Sequence, residues 1–227
     1  MLLLLPRLYA IVDAQMLAGR GVSLGHIARE LRVAGVGLVQ YRDKTGSPQE
    51  ELRAAAVLCA SMRDGMGASP RQAEAPPDMG HPRFRLIMND RADLAALAGF
   101  DGVHVGQGDL EPEDARRVVG AGRLVGVSTH TDEQVRAAEL SCADYVAIGP
   151  VFATGTKADT EPMVGLDGVR RARALTRKPL VAIGGITRAN ARSVIDAGAD
   201  SVAVISALFA ERESVEKVAR DFLELLR

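Results

Sequence analysis

Two aspartates follow short apolar runs in the stretch LIMNDRADLAALAGFDGVHVGQGDL, which spans 86–110. Asp90 comes directly after the run that ends at Asn89, and Asp109 lies shortly after the run GVHV. A carboxylate at such a position can cap the next helix, or it can bind a hard metal ion in a reaction site. The choice depends on whether other ligand-type side chains reach the same place.

Further polar or small residues follow the other apolar runs. Gln40, Arg42 and Lys44 alternate in VQYRDK, and alternate positions at the end of a strand point the same way. The remaining candidates follow later runs and are Ser128, Thr154, Thr156, Lys157, Gly184, Gly185, Ile205 and Ser206. Whether these residues form one site depends on the architecture.

Short apolar runs alternate with amphipathic segments such as LGHIARELRVAG and PEDARRVVG, a pattern that predicts repeated βα units. The eight predicted strands are LYAIV at 8, GLVQY at 37, FRLIM at 84, GVHV at 102, RLVGV at 123, DYVAI at 144, LVAIG at 180 and SVAVI at 201. This pattern indicates the α/β class and one domain over 1–227, folded as a single (β/α)8 TIM barrel. An open doubly wound sheet is the alternative, although no GxGxxG follows the first strand.

The segment 64–83, DGMGASPRQAEAPPDMGHPR, breaks this rhythm between the second helix and the third strand. It runs from helix to strand, so we expect a flexible insertion at the bottom of the barrel, away from the chemistry.

Composition narrows the function classes. A formal net charge of -1 and 4% aromatic residues do not favour nucleic-acid binding. The opening MLLLLP is too short to span a membrane. Neither Cys59 nor Cys142 has a neighbour at metal-ligand spacing, so we expect both to be buried thiols in a reducing cytoplasm. We therefore expect small-molecule substrates, and a homo-oligomer is left open.

Each candidate also has an explanation that needs no ligand. Asn89 or Asp90 could cap a helix that begins near Arg91, and Ser128 or Thr131 could cap the helix that follows strand five. Asp109 could be a turn residue, and the basic side chains could be solvated charges. For any single residue this explanation is the better one.

The joint pattern favours a ligand site, because in a barrel the residues that follow each strand converge on one rim. Two carboxylates, Asp90 and Asp109, suit Mg²⁺, which is typically bound by one or two carboxylates together with phosphate oxygens. Donors on Gln40, Arg42, Lys44, Asn89 and Lys157 could hold a diphosphate beside it. The loops after the last two strands, with IGGI and VISA, predict a second phosphate pocket.

Other chemistries fit less well. Ser128, Thr129 and His130 lack the GxSxG context of a hydrolase nucleophile. A Schiff base on Lys157 is conceivable, but its place in a polar loop favours charge neutralisation. His104, inside GVHV, predicts a core or rim histidine with satisfied hydrogen bonds.

The order and spacing of seven motifs resemble the thiamine phosphate synthase family from about Leu8 to about Leu208. The motifs are VQYRDK, MNDRADLA, GVHVGQGDL, GVSTHT, DYVAIGPVFATGTK, VAIGGI and GADSVAVISAL. The resemblance implies that a hydroxymethylpyrimidine diphosphate loses diphosphate and that the ring nitrogen of a thiazole phosphate captures the pyrimidine methylene. It also implies Mg²⁺ dependence and a dissociative step through a pyrimidine carbocation.

Residue roles follow from the same resemblance. It implies Mg²⁺ ligands at Asp90 and Asp109, and catalytic residues at Arg42, Ser128 and Lys157. The pyrimidine diphosphate would be bound by Gln40, Arg42, Lys44, Asn89 and Lys157, with Ser128 near the reacting pyrimidine. The thiazole phosphate would be bound by Thr154, Thr156, Gly185, Ile205 and Ser206. Asp43 and Ala153 depart from the common glutamate and proline of the family.

Two alternatives remain. A thiazole tautomerase-like barrel resembles the family but needs neither a diphosphate nor a metal site. A non-catalytic barrel that binds a phosphorylated metabolite is the other.

Overall fold

The computed structural model describes residues 3–63, 84–154 and 162–227. The strands are β1 (Leu8–Asp13), β2 (Leu38–Arg42), β3 (Arg85–Asn89), β4 (Gly102–Val105), β5 (Leu124–Thr129), β6 (Tyr145–Ile148), β7 (Leu180–Ile183) and β8 (Ser201–Val204). The helices are α1 (Ala14–Arg20), α2 (Leu24–Ala34), α3 (Pro48–Arg63), α4 (Ala92–Ala98), α5 (Pro112–Val119), α6 (Asp132–Leu140), α7 (Gly165–Leu175), α8 (Ala191–Asp196) and α9 (Val215–Leu225). A 3-10 helix covers Ser206–Leu208.

The strands form one closed barrel in chain order, and each strand pairs in parallel with its two neighbours. This confirms the predicted (β/α)8 fold. Every predicted strand is present, with its ends displaced by at most a few residues. Gln40, Arg42, Asn89 and Ser128 consequently lie within their strands, which corrects the expectation that they follow them.

Alternation along each strand separates two apolar cores. Leu8, Ala10 and Val12 of β1 face outward into the large cluster between the barrel and its helices. Tyr9 and Ile11 face inward, where they pack with inward residues of the other strands. The same alternation puts Gln40 and Arg42 on the inner side of β2, because Leu38 belongs to the inner cluster and Tyr41 to the outer one.

Three details lie outside the sequence predictions. The short helix α1 directly follows β1, where the carboxylate of Asp13 caps it by accepting from the Met16 N–H at 2.9 Å. Cys142 is exposed, which contradicts the prediction that both thiols are buried, because it lies in the connection between α6 and β6. The predicted insertion at 64–83 lies outside the described residues.

None of the helices in the described parts of the chain combines the length and low polarity that are needed to cross a membrane.

A repeated aspartate ties neighbouring strands together at the amino-terminal face. Asp101, Asp144 and Asp200 immediately precede β4, β6 and β8. Each carboxylate accepts a hydrogen bond of 2.7 to 2.8 Å from a backbone N–H early in the neighbouring odd-numbered strand, at Leu86, Val125 and Leu180 respectively. Burial raises the pKa of Asp101, and the backbone hydrogen bond opposes that shift. These aspartates stabilise the end of the barrel opposite the candidate site.

We expect Asp101→Ala to lower the free energy of unfolding by about 1–3 kcal/mol, because it leaves the buried Leu86 N–H without its acceptor. Urea denaturation measures this loss. Asp114→Ala, which removes an exposed ion pair with Arg117, is the control and should cost about 0.5 kcal/mol or less. Equal losses in the two variants would contradict the proposed role of the aspartate.

Candidate active site

Two adjacent cavities open at the carboxyl-terminal ends of the strands. The first, here called the polar cavity, encloses about 590 Å³ and is lined by side chains from β1 to β5 together with the inner wall of β6 to β8. The second, called the loop cavity, encloses about 550 Å³ and lies among the loops after β6, β7 and β8. The two share one wall, formed by Ser128, His130, Ala147, Ile183, Ala203 and Ile205.

All the sequence candidates that the structure describes line one of these cavities. The polar cavity contains Gln40, Arg42, Lys44, Asn89, Asp90, Asp109, Ser128 and Ile205. The loop cavity contains Ser128, Thr154, Gly184, Gly185, Ile205 and Ser206. Thr156 and Lys157 lie outside the described residues. The convergence that the barrel hypothesis required is therefore present for residues that are up to 166 positions apart, from Gln40 to Ser206.

The two candidate metal ligands meet at the mouth of the polar cavity. Burial raises the pKa of Asp90, the Lys44 hydrogen bond lowers it, and direct interaction with the Asp109 carboxyl raises it; the net pKa is above the ordinary value. Asp90 also adopts a left-handed backbone conformation with φ 60°, which is uncommon for a residue other than glycine. Two carboxylates held this close favour a cation between them.

Basic side chains balance these acids. The Lys44 ammonium pairs with Oδ2 of Asp90, and the Lys44 side chain is 47% exposed, so it can also reach a ligand. The Arg42 guanidinium pairs with Oδ2 of Asp13, a residue that is 4% exposed. Asp13 therefore does two tasks, since its other oxygen caps α1, and it fixes Arg42 at the inner end of β2.

The helix-cap explanation fails for Asn89, Asp90 and Ser128, and it is confirmed for Thr131. The N-cap of α4 is Arg91, and no side chain caps that helix. Thr131 caps α6 in a capping box with Gln134, so Ser128 is not needed there. The turn explanation holds in part for Asp109, whose Oδ2 accepts from the Gly106 N–H at 2.8 Å.

The side-chain amide of Asn89 is a buried hydrogen-bond donor without an acceptor among the described residues. Within the described parts of the chain its Nδ2 atom is buried and makes no hydrogen bond. An unsatisfied buried amide costs free energy, so this group in the cavity wall is a candidate donor to a ligand or to water.

The loop cavity depends on glycines and on one asparagine. Gly185 has φ +64°, and a Cβ atom there would lie 2.5 Å from the Ala153 carbonyl oxygen. Asn190 holds the same loop, since its Nδ2 donates to the Gly185 carbonyl at 3.1 Å and its Oδ1 accepts from the Thr187 N–H at 2.7 Å. A loop without side chains at Gly184 and Gly185 leaves backbone groups accessible to an anion.

The described part of the chain contains no group of three or more His, Cys, Asp or Glu side chains able to hold a metal ion. The Asp90 and Asp109 pair is the acidic centre of the polar cavity, and such a pair suits an ion that takes its remaining ligands from phosphate oxygens and water.

Sequence reasoning missed two supporting residues, Asp13 and Asn190. Asp13 ends the run LYAIVD in the same way as Asn89 ends LIMN, so its position after an apolar run was a usable signal. Asn190 follows IGGITRA, and neither its type nor its spacing distinguishes it from an ordinary N-cap.

Together the closed barrel and the two cavities at its carboxyl-terminal rim define a class: a TIM-barrel protein with one cavity lined by charged side chains and a second cavity built from loops. The family model described as thiamine monophosphate synthase matches residues 77–208.

Individual relatives agree. The thiamine-phosphate synthase of Koribacter versatilis is 51% identical over 98% of this chain and 96% of its own length. That of Methanoregula boonei is 40% identical over 96% of this chain and 91% of its own length. The structure of thiamine phosphate pyrophosphorylase from Pyrococcus furiosus superimposes with a TM-score of 0.79 at 27% identity, covering 97% of this chain and 95% of that one. The chain belongs to the thiamine-phosphate synthase family.

We expect Gly185→Ala to destabilise the fold more than Gly99→Ala. Both glycines have positive φ, +64° and +70°, but a Cβ atom at Gly99 meets nothing within 4 Å. The Gly99 variant should lose about 1 kcal/mol from backbone strain, and the Gly185 variant about 1–3 kcal/mol more from the clash with the 152–153 backbone. Urea denaturation of both variants separates the two effects, and similar losses would refute a close approach at Gly185.

Proposed function

We propose that this chain is a transferase that joins a pyrimidine diphosphate to a thiazole phosphate. The substrates are 4-amino-2-methyl-5-hydroxymethylpyrimidine diphosphate and 4-methyl-5-(2-hydroxyethyl)thiazole phosphate, and the products are thiamine phosphate and diphosphate. The bond between the pyrimidine methylene and the diphosphate oxygen breaks, and its electron pair leaves with the diphosphate. The thiazole ring nitrogen then forms the new bond to the methylene carbon.

The single observation that carries this proposal is the shared wall between the two cavities. A coupling reaction needs two ligands whose reacting atoms meet, and Ser128 and Ile205 contribute to both cavities. The charged side chains suit the diphosphate end of one ligand in the polar cavity, and the small-residue loops suit the monophosphate of the other in the loop cavity.

In the polar cavity, Arg42 and Lys44 would neutralise charge that develops on the leaving diphosphate. The Arg42 fork is oriented by Asp13 before any ligand arrives, so little of its conformational freedom remains to be lost on binding. Asn89, whose buried Nδ2 lacks a partner among the described residues, would give a further hydrogen bond. By family resemblance Gln40 and Lys157 would complete the donor set.

Asp90 and Asp109 would hold Mg²⁺, which fits the raised pKa of Asp90 beside a second carboxyl. When bound, the ion supplies charge neutralisation at the diphosphate oxygens. Lys44, paired with Asp90, links this acidic pair to the same anion.

In the loop cavity, Thr154, Gly185, Ile205 and Ser206 would bind the thiazole phosphate, with Thr156 added by family resemblance. Ser128, on the shared wall, would contact the pyrimidine. We also propose that the chain acts as one domain in the cytoplasm.

A tautomerase-like barrel is disfavoured because it would have no use for the acidic pair or for the cations around it. The other alternative, a non-catalytic barrel, would bind both phosphorylated ligands without forming a product.

The central experiment incubates the protein with both phosphorylated halves and Mg²⁺ and follows thiamine phosphate together with released diphosphate. We expect the two products in equal amounts. If calorimetry shows that both ligands bind but no product forms, the result would support the non-catalytic barrel. If the protein isomerises a thiazole carboxylate phosphate without coupling the two halves, the result would support the tautomerase-like barrel.

Asp90→Asn and Asp109→Asn should each lower kcat by at least about 100-fold, since the loss of one carboxylate removes part of a metal contribution worth several kcal/mol. The Mg²⁺ concentration for half-maximal activity should rise in both variants. Asp93→Asn is the matched control, because Asp93 is an exposed partner of Arg91 on the neighbouring helix, and it should keep activity within about twofold. Full wild-type activity in excess chelator would exclude the metal role.

A further inference from the structure

A chain of buried polar groups crosses the inside of the barrel and joins Gln40 to Ser128. The Gln40 Nε2 donates to the Tyr9 hydroxyl at 2.7 Å, and the Tyr9 and Tyr145 hydroxyls are 3.0 Å apart. The Tyr145 hydroxyl is 3.1 Å from Nδ1 of His104, whose Nε2 is 2.9 Å from Oγ of Ser128. We call these five residues the relay.

Four of the five relay residues line the polar cavity, and Tyr145 lies behind its wall. Gln40 and Ser128 line that cavity. Tyr9 is 1% and Tyr145 0% exposed, and burial raises the pKa of both phenols, so both remain neutral. Neutral phenols each have one proton to donate, which gives the relay a direction.

The Tyr9 oxygen accepts from Gln40, and the remaining hydrogen-bond partner of Tyr9 in the described chain is the Tyr145 hydroxyl. The order of donation that gives each buried hydroxyl proton an acceptor therefore runs from Tyr9 to Tyr145 and from Tyr145 to Nδ1 of His104. A histidine that accepts at Nδ1 carries its proton on Nε2 and donates it to Ser128. The Ser128 hydroxyl proton is then left for a ligand, and Oε1 of Gln40 is left as an acceptor.

A glycine in β5 leaves the space that the Tyr145 and His104 rings occupy. A Cβ atom at Gly126, in the middle of β5, would lie 2.1 Å from Cζ of Tyr145 and 2.5 Å from Nδ1 of His104. The Tyr145 and His104 rings stack with centroids 5.5 Å apart. A glycine inside a strand weakens it, so this position keeps space for the relay at some loss of strand stability.

An apolar core of the same shape would be as stable as a satisfied polar network. We propose that Tyr9, Tyr145 and His104 are positioning residues that hold Ser128 as a hydrogen-bond donor and Gln40 as an acceptor. The cavity thereby selects a heterocycle that presents an acceptor to Ser128 and a donor to Gln40, as an aminopyrimidine does with its ring nitrogen and amino group. This proposal rests on the proposed function. It assigns the selection of the pyrimidine ring to the polar residues inside the barrel.

The experiment compares two non-transferable inhibitors, in which methylene replaces the oxygen between the pyrimidine methylene and the diphosphate. They differ in carrying an amino group or an oxo group, which reverses the donor and acceptor pattern of the ring edge. The wild-type protein should bind the amino compound more tightly. In Tyr145→Phe this preference should fall about tenfold, because His104 loses the donor that fixes its tautomer.

Tyr41→Phe is the matched control, since the Tyr41 hydroxyl bonds to Asp43 on the outer side of β2 and touches none of the relay. It should keep the wild-type preference. The KM for the thiazole phosphate should remain within about twofold in Tyr145→Phe, a separation that general loss of stability would not produce.

An unchanged amino preference in folded Tyr145→Phe would overturn the proposal. If that variant does not fold, Tyr9→Phe carries the test, with a decrease of about threefold expected and an unchanged preference again overturning it. Failure of the proposed function is distinguishable, because the wild-type protein would then not couple the two substrates, whichever inhibitor it binds.

Discussion

Closure of eight parallel strands is the constraint from which the site follows. In a closed parallel barrel all the carboxyl ends of the strands meet at one rim, and alternate side chains of every strand must point into a shared interior. Gln40 and Arg42 are therefore brought to the same cavity as Asp90 and Ser128 although other strands carry those residues. The opposite rim is closed by the aspartates that tie β3 to β4, β5 to β6 and β7 to β8. The stabilising aspartates and the candidate site thus lie at opposite ends of the barrel.

Charge in the polar cavity is arranged in pairs before any ligand is present. Arg42 is held by Asp13 and Lys44 by Asp90, while Asp90 interacts with Asp109. A diphosphate and its counterion would enter a site whose charges are already oriented, which lowers the reorganisation required on binding. Asp90 lies beside a positive and a negative side chain at the same time. Its pKa is therefore raised by burial and by the Asp109 carboxyl and lowered by the Lys44 ammonium.

The barrel interior is the part where sequence reasoning predicted least. His104 was predicted to be a core histidine with satisfied hydrogen bonds, and two of its contacts are indeed to Tyr145 and Ser128. The sequence pattern gave no sign that Tyr9 and Tyr145 would meet, because they are separated by 136 positions and each lies in an ordinary apolar run. The exposed Cys142 escaped prediction for a related reason, since it lies just before a strand but within the preceding connection.

The sequence by itself determined the eight strand positions, the barrel, the family and most of the candidate rim residues, because strand periodicity and motif order are local properties of the chain. It did not determine which partners those residues would have. Tertiary structure alone decided that Asp13 pairs with Arg42 and that Asn190 hydrogen-bonds to the Gly185 loop. It also decided that the five residues of the relay form one hydrogen-bonded chain across the interior. The physical reason is that a hydrogen bond depends on positions to within tenths of an ångström, and strand register and barrel closure fix those positions only when distant segments pack.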